Sequence, residues 1–364
     1  MKAKIESLTF PAGRRILCVS DIHGNLSYFR GLLEKTGFSP ADELVIVGDL
    51  LEKGPRSLDT LRFVMELCRG GHVHVLSGNC DDWFDVVDDH SPELAQGLRR
   101  YLAVRPNGLI GQMCAEVGFP LAEPIDVDAL RRAIAEPFQN EFDFLRALPN
   151  VVETPHYTFV HGGLPEGEPE SWTAWKCMKY DNFMGCGRRF DKWVICGHWP
   201  VMLYHENIVD ANPVIDRESR IISIDGGCVL KDDGQLNALV IPFDGSVDFS
   251  HVAYDPFPEA TVLRAQEASA RSYYIRWGDA RVRVLERGGE FCRCRHLRTG
   301  YEMDILTKYV YGDGEECTVN DCTDYVLPLS PGDVVHVVET TSRGYFVKHK
   351  GISGWYYGPL RFSS

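Results

Sequence analysis

Five short apolar runs in this chain each end on residue types that bind metals or carry protons. ILCVS at 16–20 is followed by Asp21 and, two residues on, His23; LVIV at 44–47 is followed by Gly48 and Asp49. VHVLS at 73–77 runs into Gly78-Asn79, YTFV at 157–160 into His161-Gly162-Gly163, and WVIC at 193–196 into Gly197-His198. Carboxylate, imidazole and amide donors together suit hard-to-borderline divalent ions, and Asp49 could bridge two of them. Two ions ~3.5–4 Å apart would clamp a phosphate and activate a water for in-line attack. Singly, each feature is ordinary: a Gly-Asp pair is usually a turn, and a histidine is usually a hydrogen-bonded core or surface residue. Five in phase with five strand ends point to one shared site.

The elements that must position these residues are legible in the same stretches. Arg15–Ser20, Leu44–Val47 and Val73–Leu76 read as strands; Leu26–Lys35, closed by Gly37, and a segment from Ser57 (a plausible N-cap) to Arg69 read as helices. Strand–helix alternation predicts an α/β core with a largely parallel inner sheet, whose ligand sites form outside the carboxyl ends of the strands. Residues 83–148 read as helical segments interrupted by Pro92, Pro106, Pro120, Pro124 and Pro137, a helical cap inserted in the core. Strands resume at Tyr157–Val160, Trp193–Cys196 and Ile221–Ile224. Asp255–Pro258 reads as a linker, and short alternating strands with glycine turns follow it. The expected domains are 1–258 and a small all-β domain at 270–364.

In order and spacing, the five blocks resemble the calcineurin-like metallophosphoesterase superfamily. More narrowly, they resemble its phosphoprotein phosphatase and bacterial diadenosine tetraphosphate hydrolase branch. SDIHGN at 20–25 is similar to that family's GDIHG, GDLLEKGPRS at 48–57 to its GDxxDRG block, GHWPV at 197–201 to GHTPV, and IDGGCV at 224–229 to IDTGCV. The resemblance covers residues 14–242. It implies a four-layer sandwich of two mixed sheets flanked by helices. It also implies one metal held by Asp21, His23 and Asp49, a second held by Asp49, Asn79, His161 and His198, and a bridging hydroxide as nucleophile. The implied cofactors are two divalent ions, manganese, iron or zinc. Lys53 and Asn79 take phosphate-binding positions, as does Lys176, near Trp172 and Trp175, on a looser alignment.

Two departures from the family pattern concern the general acid. Gly78-Asn79-Cys80-Asp81 replaces GNHE or GNHD, so Cys80 stands where the acid histidine does. Glu52 stands for the Asp that orients it, and Lys53 for a phosphate-binding Arg, losing the bidentate fork. Three readings remain open: Cys80 is a thiol acid; Cys80 is a bystander while Glu52 or a cap residue such as His90 donates the proton; or the chain binds phosphate without turnover. With every ligand position filled, a working hydrolase is favoured. The expected reaction is phosphomonoester hydrolysis, on phosphoprotein or a small phosphoester, with a preference for phosphotyrosine and other aryl leaving groups. The alternatives are a dinucleoside polyphosphate hydrolase and a pseudophosphatase acting through its C-terminal domain.

Composition sets outer bounds. The 364 residues carry a net charge of −14, all of it in residues 1–258, because residues 259–364 hold 14 basic and 14 acidic side chains. This argues against a broad nucleic-acid surface, which needs a basic face. No apolar run is long enough for a membrane span and no export signal is visible, so a cytoplasmic protein with free thiols is expected. Cys292-x-Cys294 with Cys317-x₄-Cys322 has zinc-site residues but not the usual spacing. RGYFVKHKGISGWYYGPL at 343–360 resembles the last strands of bacterial SH3-like domains, implying a small barrel. There Tyr356 and Tyr357 either form a peptide- or glycan-binding surface or serve packing.

Overall fold

A strand covered on both faces needs apolar residues at every position, and the central strands of the first domain are of this kind. The computed structural model describes residues 1–122 and 124–362. In chain order the elements begin with β1 (Ile5–Ser7), β2 (Ile16–Val19), α1 (Leu26–Thr36), β3 (Glu43–Val47), α2 (Ser57–Cys68) and β4 (Val73–Leu76). Five helices follow: α3 (Asp85–Asp88), α4 (Pro92–Val104), α5 (Leu109–Glu116), α6 (Val127–Ala135) and α7 (Gln139–Ala147). Then come β5 (Val151–Glu153), β6 (Tyr157–Val160), α8 (Ala174–Met178) and β7 (Trp193–Cys196).

β2, β3 and β4 are parallel and form a five-stranded mixed sheet with Leu236–Ile241 and Ser250–Tyr254. A six-stranded mixed sheet runs in the order β1, β5, β6, β7, Ile221–Ser223, Val214–Asp216. The period of two along β2 sends Ile16 and Cys18 into the core between the sheets, against Tyr157, Phe159, Ile195 and Ile222. Leu17 and Val19 point the other way, onto Phe29 and Leu32 of α1 and the inserted helices. Beyond the second sheet, Val160, Val194 and Cys196 pack on Trp172, Cys177 and Phe183. Helices therefore flank both sheets, and β2, β3, β4, β6 and β7 end on the loops that carry the five motifs.

The helix boundaries follow local chemistry. Gly37 takes φ 63° and its N–H closes α1 on Glu34 and Leu33 carbonyls. Ser57 is the first residue of α2 rather than its N-cap, because its hydroxyl accepts the Glu52 N–H at 2.9 Å instead. Pro92 opens α4 instead of breaking it, behind a Ser91 cap that accepts the Leu94 N–H. No helix among the described residues is long and apolar enough to cross a membrane.

The chain divides into two compact units, and the main change from one to the other falls between Tyr254 and Asp255. The second unit also takes residues 200–212 and 231–234, so the chain enters it three times. It is all-β, as expected, but beside a two-stranded sheet (Tyr274–Ile275 with Cys322–Thr323) it holds two larger sheets with separate cores rather than one small barrel. One contains Glu259–Val262, Val334–Thr340, Tyr345–His349 and Ile352–Tyr356, with Val209–Asp210 on its edge; the other spans residues 281–319. Asp255–Pro258 is not a free linker. The Asp255 side chain is buried, 2.5 Å from His336 Nδ1 and 3.6 Å from Lys348 Nζ, and the Pro258 carbonyl accepts the Val337 N–H. None of the twelve cysteines forms a disulfide. Cys292, Cys294, Cys317 and Cys322 form no metal-binding group among the described residues; the first three are buried in the second sheet's core, with Cys322 packed against it. Of the two tyrosines left open between binding and packing, Tyr356 is fully buried and donates its hydroxyl to the Arg264 carbonyl, whereas Tyr357 is exposed.

Candidate metal centre

The loops beyond the strand ends hold their side chains on strained backbone. Asp21, His23, Asp49, Glu52, Lys53 and His198 all have positive φ, between 51° and 70°. Such conformations cost about 1–3 kcal/mol each for non-glycine residues and persist only where the surroundings fix them. Here they are fixed by backbone hydrogen bonds between the two leading loops, from Asp21, His23 and Gly24 N–H groups to Gly48, Asp49 and Leu50 carbonyls. A third loop is tied in by Asp81, whose buried carboxylate accepts the Leu51 N–H at 3.0 Å and the Gly78 N–H at 2.8 Å. Gly78 is required where it stands, because a Cβ there would lie 2.1 Å from the Asp49 nitrogen.

These loops converge on Asp49. Its Oδ1 lies 3.2 Å from His161 Nε2 and its Oδ2 3.7 Å from His23 Nε2, which is also 3.7 Å from Asp21 Oδ1. The far nitrogens of both rings face carbonyls: His161 Nδ1 is 2.8 Å from Val47 O and His23 Nδ1 3.2 Å from Leu51 O. Each Nδ1 therefore serves as donor, which aims each Nε2 at the carboxylates. His198 joins Asp49 and His161 with ligand atoms all within 4.8 Å of one another, and its N–H donates to Asp21 Oδ2 at 2.9 Å.

The electrostatics are those of a site built for cations. Burial raises Asp21 to about 6 and Asp81 to about 7, and lowers His23 to about 3 and His198 to about 4, so both of these rings are neutral and able to ligate. Burial works the same way on His161, yet Asp49 and Asp21 reverse it and push the ring up to about 10. Asp21 Oδ1, Asn79 Oδ1 and His161 Nε2 are buried without a hydrogen-bond partner. Orphaned buried polar atoms in a ring of carboxylates, imidazoles and an amide fit two divalent ions, which would displace the His161 proton: one on Asp21, His23 and Asp49, the other on Asp49, Asn79, His161 and His198.

Comparison with known proteins agrees. The family described as calcineurin-like phosphoesterase matches residues 14–216, more than half of the chain. The chain belongs to that family. Its relatives include symmetrical bis(5'-nucleosyl)-tetraphosphatases from Aromatoleum aromaticum (31% identical over 161 residues, 44% of this chain and 46% of the relative) and Thioalkalivibrio sulfidiphilus (33% over 153 residues, 41% and 45%). A third, from Photobacterium profundum, is 26% identical over 254 residues, 58% of this chain and 89% of the relative. The chain thus spans about half the length of the first two. The calcineurin-like phosphoesterases use a dimetal centre, the arrangement to which the ligand set here is fitted.

Around the phosphoesterase centre, the other expected residues divide. Lys53 reaches it, with Nζ 3.2 Å from His23 Nε2, and Cys80 shares a ligand-distance group with His23 and Asp49. Glu52 turns away: its carboxylate accepts the Tyr101 hydroxyl at 2.5 Å and the Leu109 N–H at 2.9 Å, tying the inserted helices to the loop instead of offering a proton to substrate. His90 is exposed, beside Asp128. Lys176 is exposed on α8, and Lys179 is the lysine that arrives, with Nζ 3.0 Å from His198 Nε2 and 2.7 Å from Asp181 Oδ1. Asp181 Oδ1 is in turn 2.9 Å from His198 Nε2. Neither Lys179 nor Asp181 follows a strand, so nothing in the sequence marked them. Asp225, buried with a partnerless Oδ2, lay within the IDGGCV block without an assigned role.

Beside Lys53 opens a cavity of about 550 Å³, lined by Lys53, Arg105 and Asn107 with apolar Val104, Val229 and Leu230. The Tyr101–Glu52 bond holds the helical wall of this cavity. Tyr101→Phe should cost about 1.5–3 kcal/mol, the worth of a hydrogen bond to a charged group. Denaturant unfolding should show the loss; an unchanged midpoint would mean Leu109 alone holds Glu52.

Proposed function

We propose that the chain is a dimetal phosphoric ester hydrolase whose substrate is a phosphoanhydride of the dinucleoside polyphosphate class. The observation that carries this reading is the cavity next to the metal ligands, which combines two cations, Lys53 and Arg105, with an apolar rim. Lys53 and Arg105 suit successive phosphates, and Val104, Val229 and Leu230 suit a base. The names of the relatives support the same substrate class. The expected preference for phosphomonoesters therefore gives way to what was first the alternative.

Divalent ions at this centre supply Lewis-acid polarisation of the phosphoryl oxygens and a water of lowered pKa. The chain's own residues supply placement and charge, and none of the three expected acids stands ready for the leaving group. Glu52 is tied to Tyr101 and Leu109, His90 is exposed beside Asp128, and burial followed by the Asp49 carboxylate pushes the Cys80 thiol up. A departing phosphate or phenolate needs little protonation, whereas a serine alkoxide needs a great deal. Positioned acids contribute about 10²–10⁴-fold, so phosphoseryl peptides should fall behind a dinucleoside tetraphosphate by about that factor in kcat/KM. Phosphotyrosyl peptides should fall between. Equal efficiency on phosphoserine would overturn the reading. For the C-terminal unit we propose that the sheet carrying residues 343–360 is the SH3-like part, with exposed Tyr357, stacked 6.4 Å from the buried Trp355, as the face for a peptide or glycan.

A further inference from the structure

We propose that Cys80 is a ligand, through its thiolate, of the cation held by Asp21, His23 and Asp49. The inference rests on the dimetal reading above and adds a donor to it. Sγ of Cys80, a ring nitrogen of His23 and a carboxylate oxygen of Asp49 lie within 4.8 Å of one another. Ions with metal–sulfur bonds of ~2.3 Å and metal–nitrogen bonds of ~2.0–2.1 Å hold such atoms roughly 3.5 Å apart in a tetrahedral shell, so a small inward movement completes the set. Asp21 Oδ1 is buried without a hydrogen-bond partner and faces the same point, 3.7 Å from His23 Nε2.

The position of the sulfur is fixed from both sides. The Cys80 N–H donates to Asp49 Oδ1 at 2.8 Å, and its carbonyl accepts Trp83 Nε1 at 3.0 Å. Asn79 Nδ2 donates to Sγ at 3.4 Å while Asn79 Oδ1, buried and unpartnered, is left for the second ion. One amide thus orients toward both ions, its oxygen on one and its N–H on the sulfur bound to the other. Coordination forms a sulfur–metal bond from a sulfur lone pair and releases the S–H proton to solvent; nothing is oxidised or reduced. A thiolate in the shell shifts that position from manganese or magnesium toward zinc, iron or cobalt.

The test uses the metal-free full chain titrated with Co²⁺. Two ions should bind, with a sulfur-to-cobalt charge-transfer absorption in the near ultraviolet. Cys80→Ser should lose that absorption and keep two ions. Loss of an outer partner to a ligand already weakens metal binding by about 10–100-fold, so cobalt affinity at one site should fall by at least that, and manganese affinity by less. Two bound ions without the absorption, or an absorption unchanged in Cys80→Ser, overturns the proposal and leaves the dimetal reading standing. Fewer than two ions in the unaltered chain overturns both. A second measurement needs no variant: Zn²⁺ should protect Cys80 from iodoacetamide, followed by peptide mapping, and equal labelling with and without zinc overturns the ligand role.

Discussion

Asp49→Asn should lower turnover by at least about 10³-fold, roughly 4 kcal/mol of barrier, and reduce the bound metal from two ions to one or none. Asp49 faces both halves of the site, with Oδ1 toward His161 and Oδ2 toward His23. Asparagine keeps the size and can still accept the Cys80 N–H, but it replaces one ligand oxygen with an N–H₂ group and removes the charge. The fold should tolerate this. Removing its charge relieves the repulsion that raises buried Asp21 and Asp81, which offsets the attraction for His161 that is lost with it. Metal content, kcat/KM and the thermal midpoint of the metal-free protein are the measurements. Near-normal activity, or two ions retained, would overturn the bridging role; a collapsed midpoint would make Asp49 a structural residue.

Asp255→Asn should destabilise the second unit by about 3–5 kcal/mol, the cost of removing one member of a buried ion pair. Asp255 and Lys348 are 5% and 2% exposed at the side chain, so the change removes a buried carboxylate from both the ammonium and His336. The same pair sets a pH dependence. Burial alone would raise Asp255, but the His336 hydrogen bond and the Lys348 ammonium outweigh it and hold the carboxyl below the usual range. A carboxyl depressed in the folded state stabilises above its unfolded pKa of ~3.9, and that contribution is lost as pH falls through this value toward the folded one. Denaturant unfolding between pH 7 and 3 should show the decline in the unaltered protein and a shallower one in Asp255→Asn. Parallel curves would assign the decline to other carboxylates.

What could be read from the sequence was what strand periodicity and strand-end chemistry dictate. A buried strand must be apolar throughout, so ILCVS, LVIV and WVIC announce themselves, and a ligand beyond such a strand has its direction set by the strand. Asp21, His23, Asp49, Asn79, His161 and His198 were found that way and are the residues the fold gathers. Residue type does not fix orientation, which is why Glu52 stays open as a candidate acid in the sequence although its carboxylate meets Tyr101. Residues placed by irregular loops leave no periodic trace, so the phosphate position went to Lys176 when Lys179 is the lysine beside His198. Short strands hide for the same reason: Val209–Asp210, two residues long, pairs with Ile352 and Ser353 from far along the chain. That pairing draws residues 200–212 out of the first unit, against a boundary expected as a single break near 258.

The route of the chain has a mechanical meaning. It passes between the two units at five junctions, after Trp199, Asn212, Leu230, Gly234 and Tyr254. A domain appended through one tether can melt while its neighbour stands. Here, loosening either unit frees ends that the other must hold fixed, at several points on its backbone. A single proteolytic nick between the units cannot detach the C-terminal sheets, since two further segments still thread into them. Heating the full chain should therefore give one calorimetric transition, with van't Hoff and calorimetric enthalpies equal. Two resolved peaks would show that the crossings transmit no force.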